Sequence, residues 1–139
     1  MIRYALAAVA VGLSLFGFIS HAAQQPAQVT VSGMVTGASG RHTVHIAIWD
    51  ATGFLRKPVQ ESFVAAGGVS KYAFTVPAGQ WAISAYEDRN ENGALDLGMF
   101  GPKEPSGFWP PYHGRHRPHF ADVARTLDRD TPDADIVLR

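Results

Sequence analysis

The chain has 139 residues, enough for one ordinary domain and not two. Hydrophobic residues make up 46% of it, and twelve basic residues balance twelve acidic ones, so one core is feasible and there is no net field to draw nucleic acid or an anionic membrane. It contains no cysteine, which excludes disulfides, thiolate metal sites and cysteine nucleophiles; stability must come from the core, or from a core and a bound ion.

The first 22 residues read as a cleavable signal peptide. Arg3 gives a positive start, Ala5 to Ile19 is an apolar run without charge, and Ser20-His21-Ala22 offers small residues at the two positions a signal peptidase reads. The run is about 15 residues, short of the ~20 that span a bilayer. Gln24-Gln25-Pro26-Ala27-Gln28 follows as a polar spacer, with no basic stop-transfer cluster. The absence of a cysteine after the apolar run argues against a lipid anchor. The expectation is a single domain over 23–139, periplasmic or secreted, with no membrane span after cleavage.

The mature chain is patterned for strands. Val29, Val31, Gly33 and Val35 alternate with Thr30, Ser32, Met34 and Thr36, which predicts a half-buried strand over 29–36. Gly37-Ala38-Ser39-Gly40 is a turn cluster. Over 43–50, Val44, Ile46 and Ile48 take one face and His45, Ala47 and Trp49 the other. Phe54 and Leu55 look like apolar plugs in the next connection. Further strands are expected over 59–65, over 71–76 with Tyr72, Phe74 and Val76 on one face, and over 80–87 after the Pro77-Ala78-Gly79 turn. The last two are expected over 119–127 and 134–139. Seven short strands without a convincing amphipathic helix predict an all-β sandwich. A long irregular stretch, 88–118, interrupts them, and a loop of that length is a place to look for function.

Asp88-Arg89-Asn90-Glu91-Asn92-Gly93-Ala94-Leu95-Asp96 opens that stretch. Side-chain oxygens fall at positions 1, 3, 5 and 9, glycine sits at 6, and the Ala94 carbonyl stands at 7, as in an EF-hand-type calcium loop. Alternate residues of a tightly wound loop aim their oxygens at one centre, and glycine permits the reversal. The candidate calcium ligands are therefore Asp88, Asn90, Asn92, Ala94 and Asp96. Position 12 is Met99 where a bidentate glutamate belongs, and only Asp88 and Asp96 are carboxylates at ligand positions. The expected site is weak, with Glu87 or Glu104 as a further carboxylate. The competing reading is a plain Asn-Gly turn.

Pro77-Ala78-Gly79-Gln80-Trp81-Ala82-Ile83, Tyr86-Glu87-Asp88, the 90–96 segment and Pro102-Lys103-Glu104-Pro105-Ser106-Gly107-Phe108 together resemble an exported bacterial family, domain of unknown function 2141. The resemblance extends over the mature chain, and its central third is the specific part. Trp81 replaces a usual tyrosine, Gly98-Met99-Phe100 stands where an Asn-rich segment is common, and the stretch after Phe108 is unusually rich in histidine. The resemblance implies a secreted immunoglobulin-like or prealbumin-like sandwich and carries no activity with it.

Other constellations are weaker. His113, His116 and His119 are spaced by three, but Pro111, Gly114 and Pro118 argue against the helix that would align them, so a solvated loop competes with a zinc or copper site. Phe108, Trp109 and Tyr112 could form an aromatic platform for a sugar or peptide, or simply pin the loop. Lys103-Glu104 reads as a solvated ion pair. No nucleophile elbow or phosphate-cradling loop is present in the sequence. The leading expectation is a noncatalytic accessory or binding domain, not an enzyme, stiffened by calcium and facing an unknown protein or cell-envelope glycan partner. The rivals are a carbohydrate- or peptide-binding module using the loop aromatics, and a hydrolase with the His-rich loop at its site.

Overall fold

Period-2 patterning commits a segment to one buried and one outer face, and a strand buries that face only against a second layer. The computed structural model, which describes residues 24–139, shows how the layers meet; the signal segment expected at 1–22 lies outside the described residues. In chain order the elements are β1 (Gln28–Thr36), β2 (Thr43–Trp49), β3 (Gln60–Val64), β4 (Lys71–Pro77), β5 (Gly79–Asp88), β6 (Leu97–Gly98), β7 (Gly101–Pro102), β8 (Ser106–Trp109), α1 (Phe120–Val123), β9 (Arg125–Leu127) and β10 (Ile136–Val137). The fold is all-β, as expected.

One sheet has three strands in the order β10-β1-β4; the other has β3-β2-β5-β8 with β9 also paired to β5. In the first, Val31 stands opposite Phe74 on antiparallel β4, and Val35 opposite Ile136 on parallel β10. In the second, Ile46 stands between Ser62 of β3 and Ala85 of β5. A single core joins them. Val29, Val31, Val35, Tyr72, Phe74, Val76 and Ile136 from the first sheet meet Val44, Ile46, Ile48, Ile83, Ala85 and Leu127 from the second. The faces assigned from alternation in β1, β2 and β4 are the faces that are buried.

Two expectations near the C-terminus are corrected. The strand expected over 119–127 is a one-turn helix followed by a three-residue strand. The Asp122 carboxylate accepts the His119 N–H at 2.8 Å, which winds the backbone at that point. The strand expected over 134–139 pairs as a strand only at Ile136–Val137. Ala134, Ile136 and Leu138 are nevertheless all buried, so the segment presents one period-2 face to the core.

The 88–118 stretch is less irregular than expected. It contains a small hairpin, β6–β7, with Met99 and Phe100 fully out in solvent at its tip, and β8, which returns to pair with β5. Gly107 in β8 is there for closeness. A Cβ at that position would lie 2.4 Å from the Val137 carbonyl oxygen, so any side chain pushes the C-terminal segment off the sheet. Among the described residues no helix is long and apolar enough to cross a membrane.

Candidate functional site

The outer face of the five-stranded sheet carries the residues with chemistry. His45, Ala47 and Trp49 of β2 share it with Ala82, Ser84 and Tyr86 of β5 and with Ser106 and Phe108 of β8, because directly opposed residues point the same way. At one end, Phe63, His45 and Tyr86 stand opposite one another across three strands. The His45 ring stacks on Tyr86 with centroids 4.7 Å apart and meets Phe63 edge-on at 4.8 Å. Its Nε2 lies 3.3 Å from Oδ2 of Asp88, the last residue of β5.

Asp88 is buried and starts the 88–96 loop. Its Oδ1 accepts the Asn92 N–H at 3.2 Å and its Oδ2 the Gly93 N–H at 2.8 Å. Backbone N–H groups reach back to it because the loop turns through two left-handed residues, Glu91 at φ 55° and Gly93 at φ 75°. The glycine at position 6 therefore does what its place in the pattern demands.

The side chains of positions 3, 5 and 9 converge. The Asn90 and Asn92 amides both donate to the Asp96 carboxylate, Asn92 at 3.1 Å. Their carbonyl oxygens meanwhile accept the backbone N–H groups of Asn92 at 3.3 Å and Ala94 at 3.0 Å. An Asn side chain that serves calcium through its carbonyl must turn that oxygen toward Asp96, a rotation an exposed amide makes readily. Among the described residues no group of three His, Asp or Glu side chains is arranged to hold a metal.

Glu104 closes the loop. It is buried, and its Oε1 accepts the Arg89 N–H at 2.8 Å while its Oε2 accepts the Asp96 N–H at 3.1 Å. One carboxylate thus ties the second residue of the loop to the ninth. The solvated Lys103–Glu104 ion pair expected from the sequence is corrected: two backbone donors give Glu104 a partner inside the protein that a lysine in water cannot match. The clustered carboxylates have a visible effect on Tyr86. Burial first, then the charges of Asp88, Glu104, Glu61 and Asp96, push its phenol up to about 12.

Glu87 points the other way, beside Val44 on the core face, and does not join the loop's oxygens. It is fully buried and bound by Ser39, through the backbone N–H at 3.0 Å and the hydroxyl. Burial pushes its carboxyl up, but the two Ser39 hydrogen bonds and the charges of Arg89 and His42 outweigh that and hold it below the usual range. The Gly37–Gly40 turn is thereby fastened to the end of β5.

The loop aromatics do not share a plane. Phe108 points outward and packs on Phe54 and, at 75° between rings, on Tyr112; Trp109, next along the strand, packs against the core. His113, His116 and His119 are all exposed. Of the two further carboxylates expected beside the loop, Glu104 is there and Glu87 is not; the sequence pattern missed His45 and Tyr86 as neighbours of the loop, since only strand pairing brings them there.

No curated protein and no solved structure matches this chain. A family profile does match, over residues 29–134, that of the family described as "Uncharacterized protein conserved in bacteria (DUF2141)". That span takes in every strand from β2 to β9 and the whole of the 88–96 loop, and the chain belongs to this family.

Proposed function

We propose that the chain is a noncatalytic exported binding domain, periplasmic or secreted, whose 88–96 loop takes one weakly held calcium ion and whose partner is a protein or a cell-envelope glycan. The observation that carries the reading is the convergence of Asn90, Asn92 and Asp96 on a loop whose frame is set by two buried carboxylates, Asp88 and Glu104. A frame held by backbone hydrogen bonds lowers the entropy lost when an ion is bound. Asp96 supplies the exposed charge, Asn90, Asn92 and the Ala94 carbonyl supply neutral oxygens, and Asp88 adds its carboxylate from the loop's first position. With so few carboxylates the affinity belongs in the range of extracellular modules, about 10⁻⁴ to 10⁻³ M.

The test is thermal unfolding of the mature domain with and without calcium. At about 100 times the dissociation constant, an ion bound only by the folded state adds about 2.7 kcal/mol. Magnesium gives a smaller shift, because it demands a tighter octahedral shell and keeps its waters. Asp96→Asn is the informative variant, since Asp96 is partly exposed and its loss leaves the Asp88 and Glu104 clamps in place. An unchanged melting temperature in millimolar calcium means that the loop is only a turn.

A further inference from the structure

The opposite end of the same sheet holds a second concentration of charge. The Ala51–Pro58 connection leaves β2 there, and the 110–119 segment arrives there from β8. Between them lies an open cleft of about 300 Å³, with Arg56, Arg117 and His119 on its rim and Phe54, Leu55 and Phe120 among its apolar walls. The floor is firm. Phe54 packs against Trp49, Phe108 and Phe120, with ring centroids 6.3, 6.2 and 5.7 Å apart. Val123, on the helix that follows, is fully buried.

The two guanidiniums have no carboxylate partner among the described residues, where the arginine–carboxylate pairs are Arg89–Glu87 and Arg129–Asp128. Two acids close to them along the chain are engaged by backbone N–H groups. Asp50 accepts the Gly53 N–H at 2.6 Å and Asp122 the His119 N–H at 2.8 Å. Arg56 is held in place by a hydrogen bond from its Nη2 to the Thr52 carbonyl at 3.1 Å, which leaves its remaining donors free. Lys57 and Arg115 flank the cleft in sequence and add to the field.

We propose that this cleft binds a phosphate monoester carried on a ring the size of one sugar. Two unpaired guanidiniums match the charge of a phosphate monoester, about −1.5 to −2 at neutral pH, and their planar forks suit its oxygens. The apolar walls offer a surface for a ring. The volume lies at the lower end of ligand sites, roughly 300–1,000 Å³, which fits one ring and its phosphate. The free sugar phosphate and the phosphorylated sugar of an envelope polymer share this chemistry.

The experiment is calorimetric titration of the mature domain with glucose 6-phosphate, glucose, inorganic phosphate and a phosphate-bearing envelope glycan. Glucose 6-phosphate binds, inorganic phosphate binds more weakly, and glucose gives no heat. A glycan that binds more tightly than glucose 6-phosphate identifies the polymer as the source; one that binds no better identifies the free sugar phosphate. Arg117→Gln weakens glucose 6-phosphate at least tenfold, and Arg117→Lys recovers only part of the loss. Arg129→Gln, which removes the same charge from a residue paired with Asp128, leaves binding unchanged. The proposal is overturned if glucose binds as well as its phosphate, if Arg56→Gln and Arg117→Gln both bind like the parent, or if Arg129→Gln weakens binding as much as Arg117→Gln does.

Discussion

The two ends of the five-stranded sheet lie about 20 Å apart, the length of β2 at roughly 3.4 Å per residue, and they use charge in opposite ways. At the 88–96 end the carboxylates of Asp88, Glu87 and Glu104 are buried and each accepts hydrogen bonds from backbone N–H groups. At the cleft end Arg56, Arg115 and Arg117 are exposed and lack acidic partners among the described residues. A buried charge must be satisfied within the protein, so the acidic end is part of what holds the fold together. An exposed charge has only water to give up, so the basic end is available to something else.

Substitutions separate the two ends. The largest effect belongs to Glu104→Ala, which frees two backbone donors at once. Hydrogen bonds to charged groups contribute about 1.5–3 kcal/mol each, and the freed N–H groups find water on an opened loop. The variant loses about 2–4 kcal/mol in urea denaturation, whereas Arg117→Gln stays within about 0.5 kcal/mol, the usual range for an exposed residue. Equal losses in the two would erase the distinction.

Acid sharpens it further. Glu87 is held below the usual carboxylate range in the folded chain, so the unfolded chain takes up its proton first as pH falls. Its contribution to stability is complete above the unfolded value, near 4.3, and disappears as pH drops through the folded one. Urea midpoints measured from pH 7 to 3 fall over that window, and Ser39→Ala makes the fall shallower by removing the hydroxyl bond. Arg56→Gln and Arg117→Gln leave its shape unchanged.

Gly93→Ala has a smaller effect. A Cβ there meets nothing within 4 Å, so the penalty is purely that of a left-handed residue at φ 75°, about 1 kcal/mol. The smallest effect is spectroscopic. Absorbance titration places Tyr86 about two units above an ordinary tyrosine, and Asp96→Asn brings it part of the way back by removing one of the charges that raise it. As pH climbs through 10 the unfolded chain ionises first, so this tyrosine also makes the fold less stable in alkali.

Much of this was legible in the chain. Val44, Ile46 and Ile48 announced a strand and its buried face, and Asp88, Asn90, Asn92, Gly93 and Asp96 announced a loop with glycine at its reversal, because both patterns are local. What escaped depends on distance along the chain. Glu104 could be named as one of two carboxylates within reach of the loop and also as a solvated partner of Lys103, since nothing near it in sequence shows that the N–H groups of Arg89 and Asp96 will face it. Likewise Arg56 and Arg117 belong to one cleft only because two connections sixty residues apart leave the same end of one sheet. The 119–127 segment misled for a different reason: a single turn of helix is too short to display its own period.

The C-terminal segment sets a condition on how this domain is made. Thr30 N–H donates to Asp130 and Met34 N–H to Asp135, contacts separated by 100 and 101 residues. Ile136 then lies beside Val35, and the Tyr72 hydroxyl bonds the Ala134 carbonyl. The first strand of the described chain is therefore finished by almost its last residues. Closing so long a loop before any reward arrives is slow, and it cannot begin while those residues are still inside a ribosome. In a growing chain β1 stays without this neighbour until the 130–138 segment has been made. Removing Ala134 to Arg139 should leave β1 with an uncovered edge and a chain that collapses without settling, even though every residue of both charged ends is still present.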